Sequence, residues 1–201
     1  MTTSTAPAQV VALFTNFEGV LHTPALDDFI EFEFLPELEN VLRDYPQVFV
    51  VVMSEVRNSA TIHQLREPFS PDIRPRIMGV TPELVTGRAR ETGRVSEIEA
   101  YLKEIGGAHL PWVAIDFDAL VYPPEFPRLV LTHRYIGFNE DSAAELRAKL
   151  DAIVGPQQAP AQVAAPDTRT LAEKEGALAQ KPAAPEKGIL GGMLARLKRS
   201  R

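Results

Sequence analysis

The stretch that most narrows the folds open to this chain is Val10–His22, where the apolar run Val10-Val11-Ala12-Leu13-Phe14 gives way to Thr15-Asn16-Phe17-Glu18-Gly19. An unbroken run of β-branched, aliphatic and aromatic residues suits a strand buried on both faces, the condition of strands in parallel sheets covered by helices. The polar residues and glycine that follow suit a turn at the strand's carboxyl end, where open α/β sheets bind their ligands. Asn16 and Glu18 at this turn are therefore the first candidates for chemistry.

Further strands are predicted at Val48–Met53, Arg76–Val80, Trp112–Ile115 closing in Asp116, and Leu129–Thr132. Between them the apolar spacing predicts helices. One runs over Leu35–Asp44, with Pro36 in its first turn, where a missing N–H matters little. A second spans Ala60–Glu67 and is capped by Asn58 or Ser59. A third, Glu97–Ile105, starts at Ser96 with Glu99 as its capping-box partner, and Gly106-Gly107 ends it. The last runs from Asn139 or Asp141 to about Ile153. The alternation Ile30-Glu31-Phe32-Glu33-Phe34 predicts a short half-exposed strand or a flap beside the site. Strands separated by helices pair in parallel through right-handed crossovers, so the expected fold is α/β, a three-layer Rossmann-like sandwich around a central parallel sheet of about five strands. The ends of the first and fourth strands should lie side by side. No large insertion follows the first or third strand, so no large cap domain is expected, and the site should be open to bulky substrates.

The 201 residues divide into a flexible N-terminus at 1–9, an α/β domain at 10–154, a disordered Ala/Pro-rich linker at 155–188 and a short basic amphipathic segment at 189–201. In the last, Leu190, Met193, Leu194 and Leu197 fall at helical spacing beside Arg196, Lys198, Arg199 and Arg201. Such a segment suits a protein partner's groove or an anionic membrane surface, although Gly191 and Gly192 each weaken a helix by about 1 kcal/mol relative to alanine. A formal net charge of -6 argues against bulk nucleic-acid binding. With 0 cysteines there is neither disulfide nor thiolate chemistry. Met1–Gln9 does not read as a signal peptide, and no apolar segment approaches the roughly 20 residues of a membrane-spanning helix, so a soluble cytoplasmic protein is expected. His22, His63, His109 and His133 are scattered without metal-ligand spacing, and neither a Walker phosphate loop nor a G-x-S-x-G elbow is present.

Polar residues stand at successive strand ends: Asn16 and Glu18, then Ser54, then Asp116 with Asp118 two places on. Arg57 could reach a phosphate near Ser54 or pair with Glu55, while Arg94, with Arg88 and Arg90 as rivals, precedes the helix that leads to the fourth strand. In order, these residues resemble the motifs of the haloacid dehalogenase-like superfamily, whose first motif is written D-x-D-G-x-L. The resemblance covers roughly Val10–Ile153. Gly19-Val20-Leu21-His22, Met78-Gly79-Val80-Thr81-Pro82, Ser96-Glu97-Ile98 and the Thr132–Gly137 region are most similar to the branch found in Swiss Army Knife RNA repair proteins. The resemblance implies a phosphatase-like protein in which Ser54 hydrogen-bonds a phosphoryl oxygen, Arg94 offsets its charge, and Asp116 holds Mg²⁺.

The first motif departs from the pattern at both acids. Its first carboxylate, in the superfamily both nucleophile and Mg²⁺ ligand, is here the amide of Asn16, a poor nucleophile. Removing one unit charge at about 4 Å is on the order of 4 kcal/mol at an effective dielectric of 20, so a metal held by Asp116 and Asn16 is a weak one. The second acid is the longer Glu18, and a displacement of the carboxyl by roughly an ångström can lower an acid–base rate about 10²-fold. The leading expectation is a catalytically impaired phosphate-binding or regulatory module. The alternative is a working Mg²⁺-dependent phosphomonoester hydrolase, acting on a substrate such as a nucleic-acid end through a rearranged site. A third is a scaffold that presents the C-terminal segment.

Overall fold

The computed structural model describes residues 9–23, 31–84 and 93–155, all within one unit spanning Met1–Gln157. The expected linker and basic C-terminal segment, most of the N-terminus, Arg88, Arg90 and part of the Glu18–Phe34 connection lie outside the described residues.

The run that opens the sequence becomes β1, Val11–Thr15, and every one of its residues is buried. It is buried because it is the central strand. β2 (Val48–Val52) pairs along one side of it, from Val11↔Val48 to Thr15↔Val52, and β4 (Trp112–Asp116) along the other, from Ala12↔Trp112 to Thr15↔Ile115. β3 (Ile77–Val80) lies outside β2 and β5 (Leu129–Leu131) outside β4, giving five parallel strands in the order β3-β2-β1-β4-β5. The order reverses between β1 and β4, and a reversal of that kind opens a crevice at the carboxyl ends of the two strands.

Alternate residues of each strand face opposite layers. Ala12, Phe14, Val51, Met53, Trp112 and Ala114 pack against Ile98, Tyr101 and Leu102 of α3 (Gly93–Glu104). Phe14 meets the rings of Tyr101 and Trp112 edge-on, each at 5.9 Å. α1 (Leu35–Asp44) and α4 (Glu140–Val154) are joined to each other, Arg147 reaching Asp44 at 2.9 Å and the Tyr45 hydroxyl donating to Asp151 Oδ1 at 2.7 Å. Asn139 caps α4 as its spacing suggests, its Oδ1 accepting from Ser142 N at 3.0 Å. The fold is thus the α/β sandwich expected, and neither connection that would carry a cap, Asn16–Phe34 or Thr81–Thr92, is long enough for a separate domain. Among the described residues no helix is long and apolar enough to cross a membrane.

Three local expectations are corrected. Of the strand and the flap expected at Ile30–Phe34, the strand is excluded, since Glu31–Phe34 forms turns with Phe32 at φ 58. The alternation there arises because Phe32 turns its ring onto Phe17 and His22, at 5.5 and 5.2 Å. The helix expected at Ala60–Glu67 is the shorter α2, Ile62–Arg66, preceded by a 3₁₀ turn at Glu55–Asn58. Its cap is Thr61, which accepts from Gln64 N while the Gln64 side chain accepts from Thr61 N, a reciprocal pair that neither Asn58 nor Ser59 can form. α3 starts at Gly93, so Ser96 lies inside its first turn and Arg94 belongs to the helix itself.

Candidate functional site

Asn16 and Asp116 sit where the ends of β1 and β4 meet, 5% and 1% exposed respectively. The Asn16 amide donates from Nδ2 to Asp116 Oδ1 at 3.2 Å and accepts on Oδ1 from Phe17 N at 2.8 Å. These two partners set the amide's orientation, because a carboxylate needs a donor and a backbone N–H needs an acceptor. The atom that Asn16 presents to Asp116 is therefore an N–H.

Asp116 is enclosed by donors. Its Oδ1 also accepts from Phe117 N at 2.8 Å and Asp118 N at 3.3 Å. Its Oδ2 accepts from the Tyr122 hydroxyl at 3.2 Å and lies 3.5 Å from Arg94 Nε. Burial pushes the Asp116 carboxyl up, against the opposing pull of Arg94, the Asn16 amide and the two backbone N–H groups. The same burial works to lower Arg94, yet the charges of Asp116 and Glu97 outweigh it and raise the guanidinium. Both groups are thus raised, Asp116 because burial outweighs its partners and Arg94 because two carboxylates outweigh burial. Tyr122 is pushed well up by burial and by the carboxylate beside it.

Arg94 Nη1 donates to Glu97 Oε2 at 3.0 Å, and the same oxygen receives Arg57 Nη2 at 3.0 Å. Arg57, 8% exposed, also donates from Nε to Thr81 O at 3.0 Å and from Nη1 to Met53 O, and burial lowers it. The expected pairing of Arg57 with Glu55 is corrected by this: its ion-pair partner is Glu97, 40 residues away, and each of its three guanidinium nitrogens donates once within the fold. Arg57, Glu97, Arg94 and Asp116 form a chain of alternating charge from the end of β2 through α3 to the end of β4.

Ser54 follows β2 and is 4% exposed, and its hydroxyl makes no hydrogen bond among the described residues. Glu18 is half-exposed at the rim, where its Oε1 accepts from Arg134 Nη2 at 2.6 Å, and the Arg134 guanidinium lies 5.1 Å from the centre of the Phe117 ring. The Asp118 side chain caps a 3₁₀ turn at Ala119–Val121 by accepting from Leu120 N at 3.0 Å. Asn16, Arg94 and Asp116 are thus brought together, while the carboxylate of Glu18 is given to Arg134. Sequence reasoning missed Tyr122, Glu97 and Arg134. Glu97 had a usable signal, since an acid beside Ile98 at the start of an apolar helix face faces the sheet.

Mg²⁺ takes oxygen ligands in near-octahedral array. Here both oxygens of Asp116 are engaged, Asn16 offers an N–H, and among the described residues no group of three His, Cys, Asp or Glu side chains is gathered. The residues present do not fit Mg²⁺.

No curated protein and no solved structure is matched by this chain. The family described as the HAD domain in Swiss Army Knife RNA repair proteins matches residues 12–143, a span that takes in Asn16, Ser54, Arg94, Asp116 and, but for Val11, all five strands. The chain belongs to that family, with the haloacid dehalogenase-like fold and the amide of Asn16 at the end of β1.

Proposed function

We propose that this domain is a non-hydrolysing member of its family, a phosphate-binding or regulatory module. The observation that carries the reading is the Asn16 carboxamide at the end of β1, oriented by its hydrogen bonds to Phe17 N and Asp116. A neutral amide whose oxygen already accepts a hydrogen bond has no lone pair of useful basicity to attack phosphorus, so an acyl-phosphate does not form. The groups that remain suited to a phosphoryl oxygen are the uncommitted Ser54 hydroxyl and the Arg94 guanidinium, whose side chain is 16% exposed. They bind and orient; they do not transfer.

The test is an aryl-phosphate assay with Mg²⁺, run beside calorimetric titration with inorganic phosphate or tungstate. Wild-type turnover should be no higher than that of Asp116→Ala. The oxyanion should bind to wild type and lose affinity in Ser54→Ala. Turnover by wild type that Asp116→Ala abolishes would favour a working phosphomonoester hydrolase instead.

A further inference from the structure

We infer that Arg94 and Tyr122 close this site to divalent cations, so that the phosphoryl ligand it takes is the metal-free form. The statement about the ligand rests on the reading above; the statement about cations stands on geometry alone. A cation needs a free lone pair on the one buried carboxylate at the strand ends. Asp116 Oδ1 already receives three N–H donors, from Asn16, Phe117 and Asp118. Asp116 Oδ2 receives the Tyr122 hydroxyl and faces Arg94 Nε at 3.5 Å. The guanidinium thus stands where a metal's charge would neutralise the carboxylate. It is kept there from behind by Glu97, which Arg57 in turn fixes.

Arg94 Nε is also buried with no hydrogen-bond partner, and its side chain is only 16% exposed. A guanidinium nitrogen left in that state marks a charge placed for its field at Asp116 and not for one good hydrogen bond. To enter, a divalent ion would have to displace a resident cation and set it beside its own charge. A chelated phosphate, such as a nucleoside diphosphate carrying its metal, meets the same repulsion. A free phosphomonoester does not.

The experiment is Mn²⁺ titration followed by electron paramagnetic resonance, on wild type, Asn16→Asp, and Asn16→Asp combined with Arg94→Gln. Wild type should leave the free-ion signal unchanged. The double variant should bind Mn²⁺ at least about tenfold tighter than Asn16→Asp alone, because a unit positive charge beside the carboxylate has been removed. Adding Tyr122→Phe should tighten binding again, and adding Asp116→Asn should abolish it, which assigns the gained ion to this carboxylate. Equal Mn²⁺ affinity in wild type and double variant would overturn the inference, as would no gain from Arg94→Gln in protein that melts cooperatively. A measurement on the unaltered chain covers variants that fail to fold: tungstate affinity should be the same in EDTA and in Mg²⁺, and a Mg²⁺-dependent gain above about tenfold would sink the idea. Tungstate binding in neither buffer would remove the phosphate-binding reading and leave the cation result to Mn²⁺.

Discussion

At Asn16 one nitrogen in place of one oxygen reverses the polarity of the atom that meets Asp116, from acceptor to donor. The contact at 3.2 Å is therefore attractive here and would be repulsive between two carboxylates. Asn16→Asp in EDTA is expected to destabilise the domain by about 3–5 kcal/mol, the scale of an uncompensated buried charge, read as a lower urea midpoint. The new carboxyl would carry a raised folded-state pKa, from burial and from Asp116, so the folded state would hold its proton more tightly than the unfolded one. The deficit should accordingly be largest at pH 8 and shrink as the pH falls toward 5; a deficit that grows on acidification would contradict this picture. Glu97 is the other residue on which the arrangement turns, since one of its oxygens serves both Arg57 and Arg94. With side-chain exposures of 3% for Arg57 and 10% for Glu97, solvent screens the pair little. Glu97→Gln should cost about 3–5 kcal/mol in chemical denaturation, whereas Glu67→Gln, in an exposed pair with His63, should change stability by less than about 1 kcal/mol.

Among the elements, the loop between β5 and α4 does more than connect. Thr132 Oγ1 donates to Gly19 O at 2.7 Å and Phe138 N to Val20 O at 2.8 Å, so this loop holds the turn that follows β1. Gly137 allows it at φ 68, and a Cβ there would run into the Phe34 ring. Gly137→Ala is therefore expected to destabilise by about 2–5 kcal/mol, left-handed backbone and overpacking together, as a fall in melting temperature. Much of this level could be read from residue order. β1, β2 and β4 are continuous apolar runs because both faces and both edges are covered, and α1 is bracketed by Pro36 and Pro46. α2 was misplaced because three candidate caps, Asn58, Ser59 and Thr61, lie within four residues, and only Thr61 has Gln64 at the reciprocal distance. The site was half legible for a similar reason. Residues at strand ends are fixed by the sheet, so Asn16, Ser54 and Asp116 could be placed; Tyr122 and Arg134 arrive on loops whose paths no periodicity records.

For the molecule as a whole, a ligand that binds only the native state raises its stability, by about 2.7 kcal/mol at a hundredfold excess over Kd. A thermal melt of wild type in excess Mg²⁺ should coincide with one in EDTA, beyond the small general effect of salt that an equal ionic strength of NaCl reproduces. A Mg²⁺-specific upward shift would restore the metal to the site. The strand order also bears on how such a chain is made. β3, β2 and β1 can assemble once the ribosome has released about the first 80 residues, yet the far side of β1 stays unpaired until β4 emerges. At about 5–20 residues per second that leaves roughly a few seconds in which the most apolar backbone of the protein is an open template for a neighbouring nascent chain. Synthesis on crowded polysomes is thus a stage at which this architecture exposes an unpaired edge to aggregation.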